Sequence, residues 1–238
     1  MLSTHLQKLG ASVILGWIGI FVIITAIAML LGSCQSVTPP QHPRDVREQH
    51  YNVVAIDAIC MKMDGDTVEL SMFTASGVLL SSNEVLTAAH VTVTPPGADC
   101  IWNAKAIQGQ AIMIVPSHVD ADRDIAIMMP VTGHFDGVQP VTLGAKPELG
   151  DTICEVAGSP YHVRRCGEVQ MATAGNHEAI DSTMIVEPGN SGSGVYNERG
   201  ELVGVISQMW HCGNGQICGS NTASIDDAEL AKLQGGVK

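Results

Sequence analysis

Three short segments bring together the residue types needed to open an acyl bond. His90 lies in Leu86-Thr87-Ala88-Ala89-His90-Val91, Asp124 in Asp122-Arg123-Asp124-Ile125-Ala126-Ile127, and Ser191 in Gly189-Asn190-Ser191-Gly192-Ser193-Gly194. A serine hydroxyl is a poor nucleophile at neutral pH and needs a base that titrates nearby, as histidine does. A carboxylate that accepts the other imidazole N–H fixes the tautomer and steadies the imidazolium formed when the serine proton moves. Each segment alone has a plainer reading, since the chain holds nine histidines and Gly-Asn-Ser-Gly also makes a hairpin turn. Asp120 and Asp122 compete with Asp124, but only Asp124 directly precedes the apolar Ile125-Ala126-Ile127. Ser193 competes with Ser191, yet it lacks the preceding Gly-x pair and reads as a small residue facing the core.

Rigid elements must hold three such distant residues together. From residue 53 onward, short β-branched segments recur between Gly, Pro, Asn and Asp, at 53–56, 68–74, 77–80, 111–115, 125–129, 138–143, 152–156, 167–172, 183–186, 194–196 and 202–207. Many short strands with turn signals imply an all-β sandwich or barrel. Only residues 226–233 have helical character, with acids in the first turn where they suit the helix dipole.

The order His, Asp, Ser excludes two other hydrolase arrangements, which run Ser-Asp-His and Asp-His-Ser. With their flanking residues, the three segments resemble the chymotrypsin-like serine proteases over roughly residues 50–225. The resemblance implies two six-stranded β-barrels with the site in the cleft between them, the first ending near residue 130 and the second starting near 138. It implies a serine endopeptidase acting on protein or peptide substrates without a cofactor, with His90, Asp124 and Ser191 as the catalytic residues. The backbone N–H groups of Gly189 and Ser191 would form the oxyanion hole, where each donor is worth about 3 kcal/mol of transition-state stabilisation. The substrate pocket would be walled by residues 185–188 and by the strand at 205–209, with Ile185 at its base, Ser207 along it and Met209 near its mouth. Such a wall suits a small or medium apolar side chain, and Ile206 stands where glutamyl-specific relatives place a histidine. Asn190 departs from the commonest pattern, which has Asp there, ion-paired in many members with an amino terminus released by cleavage. Gly-Asn-Ser-Gly is shared by the glutamyl-endopeptidase-like and HtrA-like branches, and residues 51–54 lack the Ile-Val-Gly-Gly of the cleaved enzymes, so the site is expected to form on folding. Too few residues follow 225 for the PDZ-like domain of full HtrA proteins. A different class of function, a catalytically idle protease fold used for binding, gives no physical reason to keep all three residues and their glycines.

The rest of the chain bears on location. Residues 11–31 carry no charge, and at 1.5 Å per residue they reach about 30 Å, enough to cross a bilayer. Residues 1–33 therefore read as a signal peptide or membrane anchor. Leu31-Gly32-Ser33-Cys34 resembles the bacterial lipobox, in which the cysteine is lipidated after cleavage, so lipid on Cys34 and an uncleaved anchor both stay open. Residues 34–50, with three prolines, read as a linker of at most about 50 Å. The protease domain would then span 51–225 and a terminal helix and tail 226–238. Cys60, Cys100, Cys154, Cys166, Cys212 and Cys218 remain, an even number that suits disulfides in an exported, membrane-associated protein on the periplasmic or extracellular side. The tight turn Gly213-Asn214-Gly215 brings Cys212 within reach of Cys218. Cys154 and Cys166 resemble the bridged hairpin of secreted bacterial family members, and Cys60 with Cys100 follows by elimination. No Cys-x-x-Cys or His-Glu-x-x-His occurs, so a metal site is not expected. Without residues 1–33, 11 basic residues face 24 acidic ones, a balance that repels phosphates and argues against a nucleic-acid partner. Oligomeric state is not legible.

Overall fold

The computed structural model describes residues 52–106, 109, 111–158, 163–172, 179–213 and 215–235. The expectations for residues 1–33, Cys34 and the linker fall outside them. The first six strands are β1 (Val53–Asp64), β2 (Thr67–Ser81), β3 (Glu84–Thr87), β4 (Ala98–Ala106), β5 (Ala111–Asp120) and β6 (Ile125–Pro130). They close antiparallel into one barrel in the order β1-β2-β3-β6-β5-β4. The remaining strands are β7 (Thr152–Val156), β8 (Arg164–Ala172), β9 (Ala179–Ser182), β10 (Gly194–Tyr196), β11 (Leu202–His211) and β12 (Ile217–Ser224). They close a second barrel in the order β10-β11-β12-β9-β8-β7, and a short helix, α1 (Asp227–Gly235), ends the described chain. This is the two-barrel all-β architecture that the resemblance implied.

Each barrel fills its interior largely with alternate residues along its strands. Val54, Ile56, Ala75, Val85, Ile114 and Met128 pack inside the first, and Ile153, Val169, Ile180, Met184, Val195 and Val203 inside the second. A third cluster decides the geometry of the site. Val53, Val78, Leu86, Ile125 and Ile127 of the first barrel interlock with Val156, Tyr196, Leu202, Val205 and Ala223 of the second. Each buried side chain of this kind contributes on the order of 2 kcal/mol, so the barrels are welded along their shared wall. The N-terminus of α1 is closed by a reciprocal cap, in which Asp226 Oδ1 accepts the Glu229 N–H (2.8 Å) and Glu229 Oε2 accepts the Asp226 N–H (3.0 Å). Leu230 and Leu233 of α1 pack against the inter-barrel cluster.

Several strand expectations need correction. Residues 138–143 form no strand, apart from a single bridge between Leu143 and Leu202, and the second barrel starts at Thr152 rather than near 138. Val141 and Leu143 are apolar because they cover the inter-barrel cluster, not because they pair. Residues 183–186 lie just beyond β9, outside the ladder, although Met184 and Val186 are buried. In the opposite direction, β4 and β12 are rich in Ala, Asn, Ser and Gly, poor strand formers that pairing on both sides holds extended. The disulfides join Cys60 to Cys100, Cys154 to Cys166 and Cys212 to Cys218. The first two link directly opposed residues of neighbouring strands.

Candidate active site

His90 sits in a single 3-10 turn, Ala89–Thr92, that follows β3. Ala89 and Val91 are buried while His90 is exposed, and the Trp102 indole N–H donates to the Val91 carbonyl (3.0 Å), pinning the turn to β4. Asp124 ends the turn between β5 and β6. Among the described residues it is the only non-glycine with positive φ, at 55°, a left-handed conformation that Asp tolerates better than most residues. Asp120, a rival as the catalytic acid, instead accepts the Arg123 N–H (3.1 Å) and so shapes that turn. The Arg123 guanidinium crosses to the second barrel, donating to the Ser224 carbonyl (2.8 Å) and pairing with Glu229 (2.6 Å). Asp122 is exposed.

These two turns place His90 Nδ1 2.9 Å from Asp124 Oδ2 and 3.1 Å from Oδ1. The His90 backbone N–H donates to Oδ1 (2.8 Å), and the Ser207 hydroxyl of β11 donates to Oδ2 (2.5 Å). Burial acts to raise the Asp124 pKa, but the hydrogen bonds from the His90 ring, from Ser207 and from the His90 backbone outweigh it and hold the carboxyl below its ordinary value. The carboxylate is therefore ionised at neutral pH, the state that accepts an imidazole N–H.

Ser191 follows the turn that enters β10. Its carbonyl accepts the Ser76 N–H (2.8 Å), and the Ser76 hydroxyl donates to the Gly189 carbonyl (2.9 Å), so β2 of the first barrel clamps the turn from behind. Ser76 is fully buried and its hydroxyl also accepts the Gly158 N–H (3.0 Å). Nothing in the sequence around Ser76 marks it, because its importance comes from the packing of one barrel on the other. The N–H groups of Asn190, Gly192 and Ser193 donate to the carbonyls of Glu187, Ile206 and Asn190. Among the described residues no group accepts the N–H of Gly189 or of Ser191. Gly189 has φ 100°, which only glycine adopts readily. Gly192, at φ +80°, could not carry a side chain: a Cβ there would lie 2.1 Å from Thr87 Oγ1 and 2.2 Å from the Ser76 carbonyl oxygen. Those two atoms are themselves hydrogen-bonded (2.8 Å) and cannot part cheaply. Gly192→Ala is expected to destabilise the protein by roughly 3 kcal/mol or more, read as a lower urea midpoint.

Ser191 lines two hollows. One, of about 350 Å³, is shared with Phe73, Thr74, Ala75, His90, Val91 and Val93. The other, of about 320 Å³, is walled by Val186, Glu187, Ile206, Ser207, Gln208 and Met209. Ser207 and Met209 line this second hollow, whereas Ile185 does not. Its side chain is 45% exposed, because in this extended stretch Met184 and Val186 turn inward and Ile185 turns out; Val186 takes the pocket wall. Ser193 is fully buried, so it is not the exposed hydroxyl. Among the described residues no three His, Cys, Asp or Glu side chains gather as a metal ion would require.

Behind the turn lies a buried acid. Glu155 of β7 has a side chain with no solvent exposure, paired with Arg165 of β8 (3.1 Å) and with the Asn190 amide (3.0 and 3.2 Å). Burial dominates over the Arg165 charge and the hydrogen bonds and pushes its pKa up from 4.5 to about 7. The unfolded chain releases this proton near 4.5 and the folded one near 7. The contribution of Glu155 to stability is therefore complete below about pH 4.5 and lost as pH rises through about 7, a fall of roughly 3 kcal/mol. Urea unfolding between pH 4.5 and 7.5 is expected to show that slope in the native chain and its absence in Glu155→Gln.

Residues 75–205 match the model of the trypsin-like peptidase domain. The chain belongs to that family, a class of serine endopeptidases. No curated protein matches it in sequence. Among solved structures it is similar to the HtrA-type protease AlgW with a tripeptide, at 18% identity and TM-score 0.60 over 77% of this chain and 60% of that one. The same protease with a decapeptide gives 17% identity and TM-score 0.61 over 77% and 63%. A serine endoprotease from Yersinia pestis gives 16% and 0.57 over 78% and 62%. The chain thus spans about three fifths of the length of these structures.

Proposed function

We propose that this chain hydrolyses peptide bonds through Ser191, His90 and Asp124, and that it does so tethered by its N-terminus to a membrane outside the cytoplasm. One observation carries the hydrolytic reading: Ser191 and His90 face the same hollow, the ring of His90 is held by the Asp124 carboxylate, and the Gly189 and Ser191 N–H groups have no partner among the described residues. Ser191 Oγ attacks the scissile carbonyl carbon as His90 Nε2 takes its proton, and Asp124 stabilises the resulting imidazolium. The carbonyl oxygen gains negative charge and moves into reach of the two free N–H groups. When the intermediate collapses, His90 gives the proton to the leaving amine, and a water then repeats the sequence on the acyl-serine. A peptide substrate is supported by the peptides held by the HtrA-type neighbour. Val186, Ile206 and Met209 suit a small or medium apolar side chain before the scissile bond, which a peptide-library cleavage profile tests directly.

A fluorophosphonate probe decides the class. It is expected to label the native chain on the peptide containing Ser191 and to leave His90→Ala unlabelled. A native chain that stays unlabelled defeats the hydrolytic reading and returns the idle binding fold.

The tether is supported by the uncharged run at 11–31 and by six cysteines bonded in pairs, which suit an oxidising compartment. Intact mass distinguishes its two forms. A chain starting at an acylated Cys34 is the lipoprotein, one retaining residues 1–33 is the anchored form, and a soluble unmodified chain removes both.

A further inference from the structure

Glu155 is a buried acid that none of the hydrolytic steps uses. Burying a carboxylate beside a guanidinium costs more than an apolar pair of the same size would, so its surroundings bear on why it is there. Its backbone belongs to β7, whose cross-strand partners are Arg165 of β8 and Val195 of β10. Its side chain points at the turn around Ser191 and is met there by the side chains of Asn190, itself fully buried, and of Ser193. The Asn190 amide donates to both Glu155 oxygens, and its Oδ1 accepts the Glu187 N–H (3.0 Å). Arg165 closes the loop by donating from Nη1 to Glu155 and from Nη2 to the Glu187 carboxylate (2.7 Å). Both ends of the segment 187–190 are therefore tied to one acid on β7, and Gly189, with φ 100°, lies between the ties. Asn190 carries no charge, so the acid that anchors this turn comes from the barrel wall.

We propose that Glu155 is a positioning residue for peptide hydrolysis: acting through Asn190 and Arg165, it holds residues 187–190 so that the Gly189 and Ser191 N–H groups converge on the developing oxyanion. This rests on the endopeptidase reading above. The groups facing Glu155 are Arg165 from β8 and Asn190 and Ser193 from the turn, with Glu187 beyond Arg165. The Glu155 N–H is occupied separately, at Met184 Sδ (3.2 Å). Losing the acid frees the Asn190 amide and leaves Arg165 to Glu187 alone, so the Gly189 peptide is no longer held from both sides. The reacting atoms are untouched, and so is the pocket wall at Val186, Ile206 and Met209.

The test compares the full chain with its Glu155→Ala, Glu155→Gln and Asn190→Ala variants, by peptide turnover and by rate of fluorophosphonate labelling. Glu155→Ala is expected to lower kcat by about 10²-fold or more, as for loss of one oxyanion donor, with KM nearly unchanged. Glu155→Gln keeps an acceptor for Asn190 and is expected to recover most of kcat. Asn190→Ala, which leaves Glu155 with Arg165, is expected to match Glu155→Ala and decides the matter if that variant does not fold. A folded Glu155→Ala, or in its place Asn190→Ala, with native kcat overturns the proposal, as does a loss carried by KM alone or a glutamine as damaging as alanine. If the native chain is labelled on Ser191 and both alanine variants are labelled as fast, only this inference fails. If the native chain is not labelled at all, the endopeptidase reading beneath it fails too.

Discussion

Replacing Ser191 by alanine is expected to remove on the order of 10⁶-fold of turnover, the scale of losing a triad nucleophile. The change deletes one oxygen. It leaves the Ser191 carbonyl bonded to the Ser76 N–H and the Gly189 carbonyl bonded to the Ser76 hydroxyl, so the clamp on the turn and the fold survive. Melting temperature should stay near that of the native chain while cleavage of a peptide substrate disappears. Residual hydrolysis would come from the two N–H donors and from substrate positioning alone. Ser193→Ala is the matched control, because Ser193 is buried behind the turn. Loss of turnover in Ser193→Ala with retention in Ser191→Ala would reverse the assignment of the nucleophile.

Asp124→Asn is expected to cost about 10⁴-fold in kcat. An amide can occupy the same volume and its oxygen can still accept from the His90 backbone N–H, which now meets Asp124 Oδ1 at 2.8 Å, but an NH₂ in place of Oδ2 no longer accepts from the Ser207 hydroxyl, now at 2.5 Å. It cannot supply the negative charge opposite the imidazolium, and its NH₂ facing Nδ1 selects the tautomer with the proton on Nε2, where the base is needed. The loss should be smallest at alkaline pH, where other bases can take the serine proton, and KM should change little. The stability of the native chain carries a second mark of this carboxylate. Its pKa is lowered in the fold, so its contribution is present above the ordinary carboxyl range and is lost as pH falls through the lowered value. A native-like kcat in Asp124→Asn would shift the role to Asp120 or Asp122, although Asp120 is already committed to the Arg123 N–H.

How much of this was legible beforehand depended on whether a feature is local. Strands such as 152–156 and 194–196 could be read from residue type alone, and α1 from its acidic first turn, since these signals lie within the element itself. Strand β4 could not, because Ala98-Asp99-Cys100 and Asn103-Ala104-Lys105 are extended only by being paired to β1 and β5. Residues 138–143 misled in the other direction, since an apolar β-branched run signals burial, and the surface it met was the wall between barrels rather than a neighbouring strand. Ile185 was misplaced for the same reason: alternation tells which residues face opposite ways, but not which way faces the pocket.

The sequence by itself determined the chemistry on offer: one candidate base, acid and nucleophile in that chain order, glycines where only glycine fits, and six cysteines beyond Cys34. These are properties of residue type and short-range spacing. The tertiary structure alone decided which groups hold that chemistry in place. Ser76 reaches the Ser191 turn across 113 residues of chain to Gly189, Ser207 reaches Asp124 across 83, and Glu155 reaches Asn190 across 35. Each is an ordinary residue in an ordinary strand. Its role exists only because two closed barrels, pressed together along one apolar wall, bring distant strands within hydrogen-bond distance.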